Sequence, residues 1–337
     1  MESSGARRSR RARPSRRGLL YGALAAVTVL GGTAAGTVYV TAQAHSGGRA
    51  VSSAASPAAS PSSSAPVAVS GEASVEPVVQ PTVDHEELLA AAMEAVDVPD
   101  GVEVAVAVLD LESGASASYG DGSFDTASIV KVDILAALLL QAQDEGRRLT
   151  AAEQSYATAM IESSDNASAS ELWRRIGKAA GLDAANERLG LTGTEGGDGM
   201  LWGLTQTTAA DQVTLLRQVF GEDSELSEAS RAYLRGLMGQ IAVGQRWGVS
   251  AAADGSSWAL KNGWLPRTAT GLWDINSVGR VTVDGHEYLV AALSDGNVTQ
   301  AQGISLVEAA AVAAVSVFAG QDASASGSAS AAATASS

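Results

Sequence analysis

The chain has 337 residues, with 22 Lys and Arg against 37 Asp and Glu, three His and no Cys. Seven Arg and one Glu fall in the first 17 residues and Gly18 to Ala44 is uncharged, so 15 basic and 36 acidic residues remain from His45 onward. That acidic balance argues against a nucleic-acid partner, which needs clustered cations. The missing Cys excludes disulfides, thiolate metal sites and a lipid-modified Cys, and three scattered His argue against a zinc hydrolase. No cofactor is expected, and hydrolytic chemistry is left to hydroxyls, carboxylates or Lys.

Residues 1–44 read as an export segment. Arg-rich residues precede an apolar run. Ser15-Arg16-Arg17-Gly18-Leu19-Leu20 has the form of a twin-arginine signal, and Ala42-Gln43-Ala44 that of a cleavage site. If uncleaved, Leu19 to Val40 is roughly 33 Å long as a helix, enough to anchor the chain in a membrane. Either fate places the rest outside the cytoplasm, secreted or anchored. Residues 45–82 hold five of the eight Pro; this Ser/Ala/Pro-rich stretch buries too little apolar surface to order itself and reads as a disordered tether. Residues 321–337 read as a similar tail. Residues 83–320 remain as one domain with a single sizeable core, expected to be a monomer.

Within that domain a helix is expected over Asp84 to Val96. Strands follow over Val102 to Leu109 and, past a turn at Glu112-Ser113-Gly114, up to Tyr119. Ser128 to Gln143 is apolar nearly all round and predicts a buried core helix. Helices are expected over Ala151 to Glu162, Ala167 to Ile176, Asp183 to Leu189, Thr208 to Phe220 and Ser227 to Ile241. Strands are expected over Trp258 to Lys261, Leu272 to Val283 and Tyr288 to Leu293, with a hairpin at Asp284-Gly285. Ile304 to Phe318 closes as a helix. Strands at both ends with helices between predict an antiparallel sheet covered by helices.

Three short segments carry chemistry. Ser128 and Lys131 stand one helical turn apart at a helix start, where a buried Lys, its neutral form favoured by desolvation and a second cation, can take the Ser proton. Ser164-Asp165-Asn166 forms a turn between helices. Lys261-Asn262-Gly263 ends a predicted strand; the Lys offers a cation and the Gly permits close approach. Each alone has a plainer reading as a cap, a turn or a surface Lys. Yet the chain holds only three Lys (Lys131, Lys178, Lys261), and two fall in these segments.

Together, in this order, the segments resemble the penicillin-recognising serine hydrolases, above all the class A β-lactamase-like group, with its Ser-Xaa-Xaa-Lys, Ser-Asp-Asn and Lys-Thr-Gly motifs. The resemblance spans about Asp84 to Gly320. It implies an α/β (α+β) fold: a three-layer α/β/α architecture with an antiparallel sheet and an all-helical subdomain. It implies Ser128 as nucleophile, Lys131 as general base and Ser164 as proton shuttle. Asn166 would position the substrate amide. Lys261, with Asn262 and Gly263, would bind a substrate carboxylate, and the backbone N–H groups of Ser128 and Trp264 would form an oxyanion hole.

The pattern departs in three places. Asn262 stands where Thr is expected, and Ser164 follows Ser128 by only 36 residues. The group's Glu-Xaa-Xaa-Xaa-Asn segment is missing from Leu191 to Trp202. Glu195 and Asp198 are the candidate deacylation bases there, against the plainer reading of a solvated Gly-rich loop; without a placed base, acylation outruns turnover. Arg267 is a candidate carboxylate ligand or a surface residue. Trp202, Trp247, Trp264 and Trp273 line a groove or fill a core, and Asp165 fixes its turn. The expected substrate is a β-lactam; the alternatives are a D,D-peptidase or transpeptidase acting on a peptidoglycan stem peptide, and a non-catalytic sensor binding either ligand.

Overall fold

A computed structural model describes residues 83–319 apart from Ser256. The export segment, the tether and the tail lie outside the described residues. The first helix is α1 (His85–Met93), followed by β1 (Glu103–Asp110), β2 (Ser116–Tyr119) and the short β3 (Phe124–Asp125). Helices α2 (Val130–Asp144), α3 (Ala151–Glu162), α4 (Asn166–Ile176) and α5 (Lys178–Leu189) come next, then β4 (Gln206–Thr207), α6 (Ala209–Phe220) and α7 (Glu228–Met238). The chain closes with β5 (Trp258–Pro266), β6 (Trp273–Val283), β7 (His286–Asn297) and α8 (Gln300–Ala319).

The large sheet has the order β2-β1-β7-β6-β5, and its pairs are antiparallel. Alternation along each strand sends side chains to two separate cores. Ala105, Ala107, Val278, Leu289 and Ala291 pack with α2 and the other helices of the central region. Val106, Val108, Ile275, Val281 and Val290 pack with Leu89 and Met93 of α1 and with α8. The result is three layers, as expected. The apolar α8 is long enough to cross a membrane; here it covers one sheet face, which accounts for its composition.

Helix α2 is the central element, with twelve of its fifteen residues buried. An apolar face all round suits a helix enclosed by others, and α4, α5, α7 and α3 all touch it. Helix α3 starts on a capping box of Thr150 and Glu153. Asp165 caps α4 by accepting from the Ser168 backbone N–H at 2.7 Å, so it fixes its turn as expected.

Several boundaries differ from expectation. Helix α5 begins five residues early. Gly177 and Lys178 both take positive φ (98° and 60°), which reverses the chain at once, and a Cβ on Gly181 would stand 1.6 Å from the Ile176 carbonyl. Gly181, with no Cβ, permits that close turn. Strand β5 runs on to Pro266, because its pairing with β6 continues through Asn262↔Ser277 and Gly263↔Asn276 to Pro266↔Trp273. Helix α8 starts at Gln300, four residues early, and α1 stops at Met93, three early.

Candidate active site

The segment that carries Ser128 is pinned on both sides. Strand β3 pairs with β4 through Phe124↔Thr207 and Asp125↔Gln206. Asn276 of β6, fully buried, donates to the Asp125 carbonyl at 2.8 Å and to the Thr126 carbonyl at 3.1 Å. A 3-10 turn, Ala127–Ile129, then leads into α2. Ala127 holds φ +48°, a costly conformation for a residue with a Cβ, and such strain persists only where the surroundings fix it. Ser128 therefore sits in the turn just before the helix, with its side chain partly open.

Lys131 is buried, and its Nζ gathers four acceptors: Ser128 Oγ at 2.9 Å, Ser164 O at 2.7 Å, Ser164 Oγ at 3.0 Å and Asn166 Oδ1 at 2.8 Å. The Trp202 ring lies over the same nitrogen, 5.0 Å from its centroid. Lys261 Nζ, also buried, donates to Ser164 Oγ at 3.0 Å and to its neighbour's carbonyl, Asn262 O, at 2.8 Å. Ser128, Lys131, Ser164, Asn166 and Lys261 are thus brought together from four elements. Ser164 is the common partner and takes φ +56° to be so.

Burial drives the Lys131 ammonium down to about 7, against an opposing pull from Asp165. Burial and the Lys131 charge hold Lys261 well below the usual lysine range. Burial is the first cause at both lysines, and the repulsion between the two ammonium groups belongs to the pair.

Gly263 lies on the free edge of the sheet, and a Cβ there would stand 2.7 Å from Ser128 N and Thr126 O and 2.9 Å from Ile129 N. The strand edge approaches the serine turn itself, which is why Gly is required. Trp264, one residue on, turns its ring toward Trp247 at 6.0 Å between centroids.

Two expected ligands are engaged elsewhere. Asn262 was expected to donate its amide to a substrate carboxylate. Both hydrogens are occupied by carbonyls, Gln245 O at 2.8 Å and Trp247 O at 2.9 Å, and the side chain is fully buried. Arg267 is neither a free ligand nor an idle surface residue. It pairs with the buried carboxylates of Asp125 and, at 2.6 Å, Asp274. Glu195 and Asp198 are exposed, and neither carboxylate is hydrogen-bonded to Ser128 or Lys131. The Glu195 backbone forms a bridge with Gln206. Of the four Trp, only Trp202 reaches the lysine; Trp247, Trp264 and Trp273 pack against the α8-side core. Sequence reasoning passed over Asn276, Gln245 and Ala127: Asn276 acts across 151 residues, Gln245 across 82, and Ala127 through a backbone angle.

A serine whose hydroxyl meets a buried, low-pKa lysine, beside a second serine shared by two lysines, defines the serine-hydrolase class that uses Lys as its base. The model of the beta-lactamase enzyme family matches residues 146–318, just over half of the chain. The chain belongs to that family, as a β-lactamase-like serine hydrolase. The matched range includes Ser164 and Lys261 and begins after Lys131. No curated protein matches the chain.

Among solved structures, PBP-A is similar at 23% identity and TM-score 0.60, over 69% of this chain and 96% of that one. A mutant of PBP-A solved as an acyl-enzyme complex with penicillin G is equally similar. The extended-spectrum β-lactamase TLA-1 matches at 16% identity and TM-score 0.60, over 69% of this chain and 98% of that one. A β-lactamase from Xanthomonas campestris pv. campestris matches at 21% and 0.54, over 68% and 95%. These likenesses establish the fold, including its three layers.

Proposed function

We propose that the chain hydrolyses the cyclic amide of a β-lactam through an acyl-enzyme on Ser128. The observation that carries this reading is the 2.9 Å contact between Ser128 Oγ and the Nζ of Lys131, whose pKa falls to about 7. Neutral Lys131 takes the Ser128 proton as Oγ attacks the amide carbonyl. The negative charge on the carbonyl oxygen is met by the backbone N–H groups of Ser128 and Trp264. Collapse breaks the C–N bond, and the nitrogen receives a proton from Ser164 Oγ, which is resupplied by Lys131 at 3.0 Å. An ester on Ser128 remains. Asn166 orients the substrate amide, and Lys261, pushed toward its neutral form by burial, offers amine N–H groups to the substrate carboxylate.

Hydrolysis of that ester needs an activated water. With Glu195 and Asp198 exposed and unattached, deacylation falls to Lys131 or to unassisted water, so acylation outruns turnover. This feature equally suits the second reading, a D,D-peptidase or transpeptidase on peptidoglycan stem peptides. The Arg-rich and apolar residues 1–44 support action outside the cytoplasm, where either substrate is met.

Intact mass after incubation with a penicillin tests the proposal. A mass gain equal to the penicillin, lost in Ser128→Ala, is expected, together with slow nitrocefin turnover. No adduct and no turnover in the unmodified chain would overturn it.

A further inference from the structure

We propose that Asn262 is a positioning residue that acts through Gln245 on the Ser163–Ser164 turn, and that it does not touch substrate; this rests on the acyl-enzyme reading above. Side chains alternate along β5. Lys261 and Gly263 face the serine turn, so Asn262 and Trp264 face the opposite side. There Asn262 ties three pieces together. Its amide donates to Gln245 O and Trp247 O, and its Oδ1 accepts from Ser277 Oγ of β6 at 2.6 Å. Ser277 Oγ in turn accepts from the Val249 N–H at 2.9 Å. The fit is tight: Gly248 takes φ +82°, and a Cβ on it would stand 2.1 Å from Ser277 Oγ.

The clamped segment reaches the site from its other side. Ala242 N donates to Glu162 O at 2.8 Å, and the Gln245 side-chain amide donates to Ser163 O at 3.2 Å. Ser163 O belongs to the peptide that leads into Ser164, the left-handed residue whose O and Oγ hold Lys131 and whose Oγ holds Lys261. A non-Gly residue in that region is strained and needs outside support. Asn262, by fixing Gln245, supplies it. A Thr at this position has one hydroxyl hydrogen and cannot hold two carbonyls at once. The Asn is therefore a different solution from the expected Thr, one that trades a substrate contact for a brace.

The test uses the full chain as Asn262→Thr, Gln245→Glu and the double variant. Two quantities are read: the acylation rate with a penicillin and with its methyl ester, by intact mass, and amide hydrogen exchange across residues 160–168. The expected result is an acylation loss of about tenfold or more in each single variant, equal for both compounds, since misplacing a reacting group is costly. Exchange at the turn is faster, and the double variant is no slower than the worse single, because both changes cut the same link. A loss confined to the free carboxylate overturns the proposal, because it marks Asn262 as a substrate contact. So does unchanged acylation. If the unmodified chain forms no adduct, the proposed function fails, and exchange still decides: faster exchange in the variants upholds the brace, and unchanged exchange ends it. Should Asn262→Thr not fold, Gln245→Glu, at a half-exposed side chain, carries the same readouts.

Discussion

The ammonium nitrogens of Lys131 and Lys261 meet on one atom, Ser164 Oγ, each at 3.0 Å. Two cations that share one hydroxyl cannot both stay charged cheaply inside a protein. Burial brings Lys131 to about 7, so the proposed base is available in its neutral form near neutral pH, and on the proposed route Ser164 passes a proton between a lysine and a leaving nitrogen.

The first consequence is a pH profile. With Lys131 at about 7, the reactive neutral form grows as pH rises through that value. The acylation rate should climb tenfold per pH unit below it and level off above. Lys131→Arg, which cannot give up its proton, should lower acylation by about 10²- to 10⁴-fold. Stopped-flow acylation between pH 5 and pH 9 checks both statements. A flat profile would remove Lys131 as the base.

The same shift bears on stability with the sign of a depressed lysine. Folding disfavours the charged form, so the penalty is full below pH 7 and fades as pH rises toward the ordinary value of 10.5. Lys131→Met should therefore raise Tm more at pH 6 than at pH 10. Calorimetry at the two pH values settles the order.

On the proposed acyl-enzyme route, deacylation is the expected weak step. Trp202 covers Lys131 where a water-activating carboxylate would be useful, and its indole N–H is held by Ser170 Oγ at 3.1 Å. Nitrocefin should give a stoichiometric burst followed by turnover about 10²-fold slower or more, the share a placed base contributes. Pre-steady-state nitrocefin kinetics measure the two phases. Equal rates would show that a base is in place after all.

Gly263→Ala should disable the enzyme without touching a reacting atom. The added Cβ meets three backbone atoms at 2.7–2.9 Å, none of which can swing away as a side chain can. Overpacking of this kind costs about 1–3 kcal/mol, and relief moves Ser128 N, an oxyanion donor. A lower Tm and a loss of adduct formation are both expected; wild-type acylation would contradict the close approach.

The layered fold was largely legible because its signals are local. The all-apolar run before Gln143 marked α2, and the alternation of Val and Ala in Val102 to Leu109 marked β1. The chemistry was legible through scarcity, since two of three Lys fell in the right segments. What escaped depends on distant contacts. Asn262 reads as a donor for substrate until Gln245 and Trp247 are seen to occupy it. Arg267 reads as a free ligand or a surface residue because one of its partners, Asp125, is remote in sequence and the other, Asp274, lies on the next strand. The strain at Ala127 leaves no trace in residue type, and the early start of α5 rests on the close turn that Gly177 and Gly181 permit.

Asp133 offers a last test, of the core beneath the site. It is fully enclosed on α2, and burial raises its pKa from 3.8 to about 7, against the pull of hydrogen bonds from its own backbone and Gln212 and with the nearby Asp211 adding to the rise. The folded state therefore binds more protons than the unfolded chain between those values, and stability falls as pH rises from 3.8 to about 7. Above that window the ionised carboxyl costs at most about 4 kcal/mol. Asn has nearly the same shape and no charge to bury. Asp133→Asn should raise Tm at pH 8 and change it little at pH 4, as read by thermal unfolding in matched buffers. An equal shift at both pH values would mean that packing, and not ionisation, sets the penalty.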